Sequence, residues 1–221
     1  AVHRSGAATV LFFGSTAYVV PILFVRVTGR RTIVEPRGDV PLTLRIVWST
    51  RTLPAVAWLL SGAVWWLERL GYWLATDIVV YTPAMVEQLK LKRHAAKTHA
   101  HGARYVDTDQ FHPGNDFDER ERQVGYVGRL DEEKSIGVLA EAAVALAERD
   151  VAFTFIGDGA LSGWLSERLV DEIAANDVEL AGWVDHDEVP DRLRRLRLLV
   201  MASSPTEGLP MTALEAMACG T

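Results

Sequence analysis

Two cations and two carboxylates lie next to predicted strand ends and helix starts in the C-terminal half of the chain. They are Arg129, Lys134, Glu207 and Glu215. In an open parallel sheet, ligands bind beside the carboxyl ends of the strands. Cations beside a helix N-terminus suit a phosphate or diphosphate, and carboxylates accept hydrogen bonds from hydroxyl groups. The pattern therefore predicts a site for a diphosphate with a hydroxyl-bearing group on each side.

A purely structural interpretation of the same charges remains open. In it, Arg129 and Lys134 are surface cations neutralised by the acidic run 131–133, Glu207 is solvated, and Glu215 caps its helix or forms a local salt bridge.

Glycine and proline shape the backbone around these charges. Pro210, at a predicted first helical position, directs the amides of Gly208, Leu209 and Met211 out of the helix end, where an anion can bind. Gly157 follows a predicted strand and permits close approach of a ligand, but on its own this glycine turn favours a plain tight turn. The third glycine of the dinucleotide fingerprint is missing, so NAD binding is not supported.

The elements that must position these residues alternate between strand and helix. In the first half we expect a buried helix at 14–28 after a short strand, strands at 32–35 and 77–81, a short strand with a turn at 98–105, and helices at 42–48, 54–74 and 83–91. In the second half we expect strands at 123–127, 151–156, 178–180 and 198–202, and helices at 134–148, 161–174, 188–195 and 210–218. This alternation predicts two α/β domains with mostly parallel sheets.

Charge divides the chain at the same place as the elements. The chain has 221 residues and a formal net charge of −6. Residues 1–104 carry 13 basic and 5 acidic side chains, a balance of +8, and the rest carry 10 and 24, a balance of −14. With 49% hydrophobic and 24% charged residues the composition excludes a disordered chain. We expect one domain at 1–106, a polar linker at 107–121 and a second domain at 122–221.

Cysteine content and the N-terminal residues bear on where the protein is located and on whether it spans a membrane. The lone Cys219 excludes an intramolecular disulfide and a cysteine-based zinc site, so we expect a cytoplasmic protein without a metal centre. The uncharged stretch 5–25 is long enough for a membrane span, but its polar residues favour the buried helix. The chain starts at Ala1 and ends just after an apolar run, which predicts an inner segment of a longer protein.

Several motifs together resemble a known family. The string from Glu207 to Thr221 resembles the E-x7-E signature of retaining glycosyltransferases of the GT-B fold, family 4, also called group 1 glycosyl transferases. The strings VGYVGRLDEEKS, FTFIGDGALSGWL, VELAGWVDHDEVPDRL and LLVMASSPTEGLP agree in order and spacing, and VDTDQFHP resembles the interdomain segment. The resemblance implies two Rossmann-like, doubly wound domains facing a cleft, a partial one that binds acceptor and a nearly complete one that binds donor. The chain would be a fragment lacking both ends.

The resemblance also implies roles for particular residues. Arg129, Lys134 and Glu207 are the implied catalytic residues: the two cations stabilise the departing diphosphate and Glu207 contacts the transferred sugar. Glu215 is implied to bind the ribose. The other implied donor-binding positions are Gly128, Gly157, Gly182, Trp183, Val184, Gly208, Leu209, Pro210 and Met211. The implied reaction is transfer of a hexosyl group with retained configuration and no obligatory metal or cofactor.

The acceptor side matches the family less well. Arg37 stands where a histidine is common, and we assign it to acceptor or phosphate contact as a hypothesis. The implied donor is a UDP-, GDP- or ADP-sugar and the acceptor a lipid, a polysaccharide or another glycan; no nucleic-acid partner is expected. Two alternatives remain open: a non-catalytic nucleotide-sugar-binding module, and another GT-B enzyme such as a sugar-nucleotide epimerase.

Tryptophans are concentrated in the basic half. Residues 53–74 contain Trp58, Trp65, Trp66 and Trp73. Such a helix suits the surface of an anionic membrane, with the rings at the headgroup level, and would make the protein peripheral on the cytoplasmic face. The other interpretation is a domain helix whose aromatic side chains fill the core.

Overall fold

The computed structural model describes residues 6–101, 104–114, 116–203 and 208–221, and of Arg51 only the backbone. It divides into two compact units. The first unit is Ala1–Arg104 with Pro205–Leu209, and the second unit is Tyr105–Ser204 with Pro210–Thr221. The segment predicted to be a linker, 107–121, falls in the second unit.

The first unit is built on a parallel sheet with strand order β1-β2-β3-β4. The strands are β1 (Thr9–Phe13), β2 (Arg31–Glu35), β3 (Asp77–Val79) and β4 (Thr98–His99). The helices are α1 (Val19–Val27), α2 (Val40–Arg51), α3 (Pro54–Leu74) and α4 (Pro83–Gln88). Buried Val34 and Ile78 of the sheet pack in one core with Ile22 of α1 and Tyr72 of α3.

Local sequence signals explain where these helices begin. The Asp39 carboxylate accepts a hydrogen bond from Leu42 N at 2.9 Å, which caps α2. Thr82 caps α4 in the same way, accepting from Met85 N at 3.4 Å. A proline lies in the first turn of both helices, and α3 begins at Pro54, where the missing N–H is not needed.

The predicted buried helix at 14–28 is wrong in two respects. The α-helix begins only at Val19, after a 3₁₀ turn at Thr16–Tyr18. Within it only Ile22 and Val25 are buried, because α1 packs with one side on β2 and α3. Across the described part of the chain, no helix has the length and apolar character needed to cross a membrane.

The second unit is built on another parallel sheet, with strand order β7-β6-β5-β8. The strands are β5 (Gln123–Val127), β6 (Ala152–Ile156), β7 (Val178–Gly182) and β8 (Leu198–Leu199). The helices are α5 (Ile136–Ala147), α6 (Ser162–Arg168), α7 (Val170–Ala174), α8 (Val189–Arg195) and α9 (Met211–Ala218). The predicted parallel arrangement is thus confirmed in both units.

Three predicted elements of the second unit differ from the structure. Helix 161–174 is two helices, because the backbone breaks at Leu169 (φ −112°, ψ 23°), which lets α7 pack against β7. The helix expected from Lys134 starts at Ile136, since Ser135 adopts a left-handed conformation (φ 55°). The strand expected at 198–202 is only two residues long.

Arg120 connects the predicted linker segment to the ends of two helices. Its guanidinium is buried and donates to Leu196 O at 3.0 Å and to Cys219 O at 2.9 Å. These carbonyls belong to the C-cap residues of α8 and α9. A buried cation therefore satisfies helix-end carbonyls that have no partner within their own helix.

Candidate functional site

The loops after β5 and β6 are bonded to each other along the carboxyl edge of the second sheet. Gly128 N donates to Ile156 O at 2.9 Å, and Leu130 N donates to Asp158 O at 3.0 Å. Leu161 N in turn donates to Leu130 O at 2.8 Å. The two loops therefore form one backbone platform at the edge where ligands of parallel sheets bind.

Glycine at position 157 is required by this platform. Its φ is +135°, and a Cβ atom there would lie 2.0 Å from Gly128 O. Gly159 is similarly constrained, since its Cβ would lie 2.5 Å from Leu130 O. Contact between the loops thus accounts for both glycines, whether or not a ligand approaches them.

A cavity of about 200 Å³ opens beside the platform. It is lined by Val127, Gly128, Arg129, Ile156, Gly157, Asp158, Trp183, Val184, His186 and Val189. Five of these were predicted as site residues: Gly128, Arg129, Gly157, Trp183 and Val184. A sixth, Gly182, adjoins it, because its carbonyl accepts a hydrogen bond from Gly157 N at 2.8 Å.

The two predicted cations differ in their placement. Arg129 lines the cavity but forms ion pairs with Asp131 and with Glu133, the latter at 2.6 Å. This is the neutralisation that the structural interpretation anticipated. Lys134 ends the short 3₁₀ helix Glu132–Lys134 and lies outside the cavity lining. A phosphate ligand of Arg129 would therefore have to replace two carboxylates.

The structure describes one of the two predicted glutamates. Glu215 lies within α9 and is 9% exposed, and this burial raises the pKa of its carboxyl group, while the charge of His186 opposes the rise. Glu207 lies outside the described residues. The buried carboxyl group of Glu215 would be stabilised by hydroxyl donors, because they replace the hydrogen bonds that it loses to water.

One of the amides predicted before α9 already has a backbone partner. Pro210 is the N-cap residue and the helix begins at Met211. The Gly208 amide already donates to Arg37 O at 3.2 Å, and Leu209 packs on the core of the first unit. The Arg37 guanidinium lies over the ring of Phe13, with 4.8 Å to the centroid.

Two polar residues of the cavity were not predicted as site residues. Asp158 has a lowered pKa because the Ser162 hydroxyl and the Gly159 amide donate to its carboxylate. The ring of His186 lies tilted against that of Phe111, with 5.3 Å between ring centroids. Both follow strand ends within the quoted motifs, so their place after β6 and β7 was the available signal. No group of three or more metal-binding side chains occurs among the described residues.

The match to a protein family falls in the part of the chain that contains the cavity. Residues 121–221 match the family model of glycosyl transferases group 1. Alpha-D-kanosaminyltransferase of Streptomyces kanamyceticus is 29% identical over 166 residues, which cover 69% of this chain and 42% of that protein. 2-Deoxystreptamine N-acetyl-D-glucosaminyltransferase of Streptomyces fradiae is 36% identical over 106 residues, covering 44% and 24%. The chain thus spans less than half the length of these curated relatives.

Solved structures resemble the fold over nearly the whole chain. HepE of Anabaena, in complex with UDP, has a TM-score of 0.69 at 16% identity and covers 96% of this chain and 58% of that one. Sucrose-phosphate synthase of Thermosynechococcus elongatus has a TM-score of 0.71 at 17% identity and covers 99% and 56%. Together with the two parallel sheets, this likeness confirms the predicted GT-B fold class, with two Rossmann-like domains.

Proposed function

We propose that the chain is part of a retaining, family 4 glycosyltransferase that transfers a hexosyl group from a UDP-, GDP- or ADP-sugar to a glycan or lipid acceptor. The observation that carries this proposal is the cavity at the carboxyl edge of β5, β6 and β7. It lies within residues 121–221, the segment that matches glycosyl transferases group 1. The UDP in the HepE complex is consistent with a nucleotide-sugar donor.

The cavity offers suitable surfaces for a nucleotide. Val127, Ile156, Val189 and the ring of Trp183 supply apolar walls for a base. Glu215 would accept the ribose hydroxyls, whose hydrogen bonds offset the desolvation of its carboxyl group. The two loops beside the cavity are already held to each other by backbone hydrogen bonds.

The cations would act on the departing diphosphate. Negative charge grows on the nucleotide as the glycosidic bond breaks, and fixed cations stabilise it electrostatically. Arg129 would release Asp131 and Glu133 and make paired hydrogen bonds to phosphate oxygens. Lys134 would add a second charge, and Glu207 would hold hydroxyls of the transferred sugar. Since Arg129 and Lys134 supply the positive charge, we infer a metal-independent reaction.

The test is consumption of a panel of nucleotide sugars by the full-length protein, with and without acceptor. We expect turnover of one donor that persists in EDTA. Lys134→Ala and Glu207→Ala should each reduce it by about a hundredfold or more, because each removes a contact to the reacting groups. Lys92→Ala is the matched control, since Lys92 is exposed and forms an ion pair with exposed Glu87.

Four outcomes would contradict the proposal. Undiminished turnover by Lys134→Ala would remove the assigned diphosphate site. Donor binding without any turnover would support a non-catalytic binding module instead. Loss of turnover in EDTA would overturn metal independence, and inversion of the anomeric configuration in the product would overturn the retaining mechanism.

A further inference from the structure

The solvent-facing side of α3 is apolar along its whole length. Its inner side buries Ala57, Ser61, Glu68 and Tyr72. The opposite side exposes Val56, Leu59, Trp66, Leu67, Leu70 and Trp73. These residues recur at helical spacing, and Leu59, Trp66 and Trp73 are 67%, 70% and 65% exposed. At 1.5 Å per residue the stripe extends for about 26 Å.

Helix α1 adds a second apolar stripe next to the first. Val20, Leu23, Phe24 and Val27 are exposed, Val27 to 79%. α1 contacts α3, and Arg26 Nη1 donates to Leu74 O at 2.7 Å, which ties the ends of the two helices together. We call the exposed sides of α1 and α3 together the α1–α3 face. Soluble proteins seldom expose this many large apolar side chains on neighbouring helices without a partner for them.

The charges around the α1–α3 face are positive. α1 contains no acidic residue, and the only acid in α3 is Glu68, which is buried. Lys97 Nζ lies at the C-terminal end of α3 and donates to Trp73 O at 3.0 Å and Ala75 O at 2.7 Å. Residues 1–104 carry a balance of +8. Any partner of the face therefore approaches a cationic domain.

A cavity beside α3 concentrates the same combination of rings and cations. It has a volume of about 250 Å³, and its lining includes Trp58, Trp65, Arg45, Arg69 and Lys90. Among the described residues of the lining, Asp39 is the single carboxylate. An anionic headgroup fits this lining better than a neutral or cationic group does.

We propose that the α1–α3 face docks onto the surface of an anionic lipid bilayer, with α3 parallel to the membrane plane. Tryptophan rings prefer the headgroup level, where the apolar ring is buried and the indole N–H stays hydrated. Anionic lipids attract the +8 domain. A second copy of the chain is disfavoured as the occupant, because dimerisation through this face would bring two +8 domains together.

The test is co-sedimentation of the full-length protein with vesicles of phosphatidylcholine alone or mixed with phosphatidylglycerol. We expect binding to the mixed vesicles at low ionic strength, weaker binding to phosphatidylcholine, and a decrease as salt is added. The double variant Trp66→Ser with Trp73→Ser should lower the partition coefficient by about tenfold or more. Trp164→Ser, at an exposed tryptophan of the second unit, should leave it unchanged.

Folding does not obscure this result, since Trp66 and Trp73 are exposed and their replacement should preserve the circular dichroism spectrum and the thermal midpoint. Absence of binding to the mixed vesicles at low salt would overturn the proposal, as would equal binding by the double variant. A lipid-free dimer that the double variant converts to a monomer would identify a second copy as the occupant and would also overturn it.

Discussion

The ionisation of a buried side chain in this protein depends on the balance between its desolvation and its charged neighbours. Glu68 is only 2% exposed, and burial raises its pKa from 4.5 to about 7. The guanidinium of Arg69, at 3.3 Å, opposes the rise, and the charge of Asp39 adds to it. The ionised form is therefore disfavoured in the folded protein, although the side chain lies next to an arginine.

Stability should consequently fall as pH rises through the titration of Glu68. The folded state binds this proton more tightly than the unfolded state. The contribution of the proton to the free energy of unfolding is therefore complete below about pH 4.5 and lost by about pH 7. Glu68→Gln should remove this loss and be more stable than the wild type at pH 8 by up to about 3 kcal/mol. Urea unfolding across this range measures the difference, and parallel pH profiles of the two proteins would contradict the account.

The sequence could predict which residue types gather at the cavity but not their pairing. The carboxyl ends of parallel strands lie at one edge of the sheet, and this brings together Gly128, Arg129, Gly157, Trp183 and Val184. The ion pairs of Arg129 depend on side-chain positions that spacing does not fix. Glu207 lies outside the described residues, so its role remains a prediction.

Elements of this fold depend on long-range caps as well as on their own sequence. Arg120 donates to the C-cap carbonyls of α8 and α9 and to Thr221 Oγ1 at 3.0 Å. These bonds span 76 to 101 positions in the sequence. Neither helix carries a local signal for this partner, and Arg120 lies in a segment predicted from its composition to be a polar linker.

Removing this cap should destabilise the second unit. Arg120→Ala loses three charge-assisted hydrogen bonds and leaves buried carbonyls without a donor, which should reduce the free energy of unfolding by roughly 3 kcal/mol. The neighbouring Arg122 is exposed, so Arg122→Ala should change it by less than about 0.5 kcal/mol. Equal stability of the two variants in urea unfolding would contradict the capping role.

The success of the element predictions follows the strength of local signals. Strand 123–127 and helix 54–74 have the predicted bounds, because one is a short apolar run and the other begins at a proline. The break at Leu169 and the left-handed Ser135 were missed. Both residues are of types without a preference for those conformations, so tertiary packing decides them.

At the scale of the whole molecule, charge and compactness divide the chain at the same point. The main segment of the first unit ends at Arg104 and the second unit begins at Tyr105, where the balance changes from +8 to −14. We interpret this division as functional: the basic unit provides the proposed membrane face and the acidic unit the proposed donor site. Composition could predict the division, whereas the exposure of the tryptophans required the structure.

We propose above all that the cavity of the second unit binds the nucleotide of a sugar donor. The most direct test is calorimetric titration of the full-length protein with UDP, GDP and ADP. We predict saturable binding of at least one of them at a single site.

Trp183→Ala should weaken this binding by about tenfold or more, because Trp183 lines the cavity and is 76% exposed, open to stacking with a base. Trp164→Ala should bind like the wild type. Absence of binding by all three nucleotides, or unchanged affinity in Trp183→Ala, would contradict the assignment of the site.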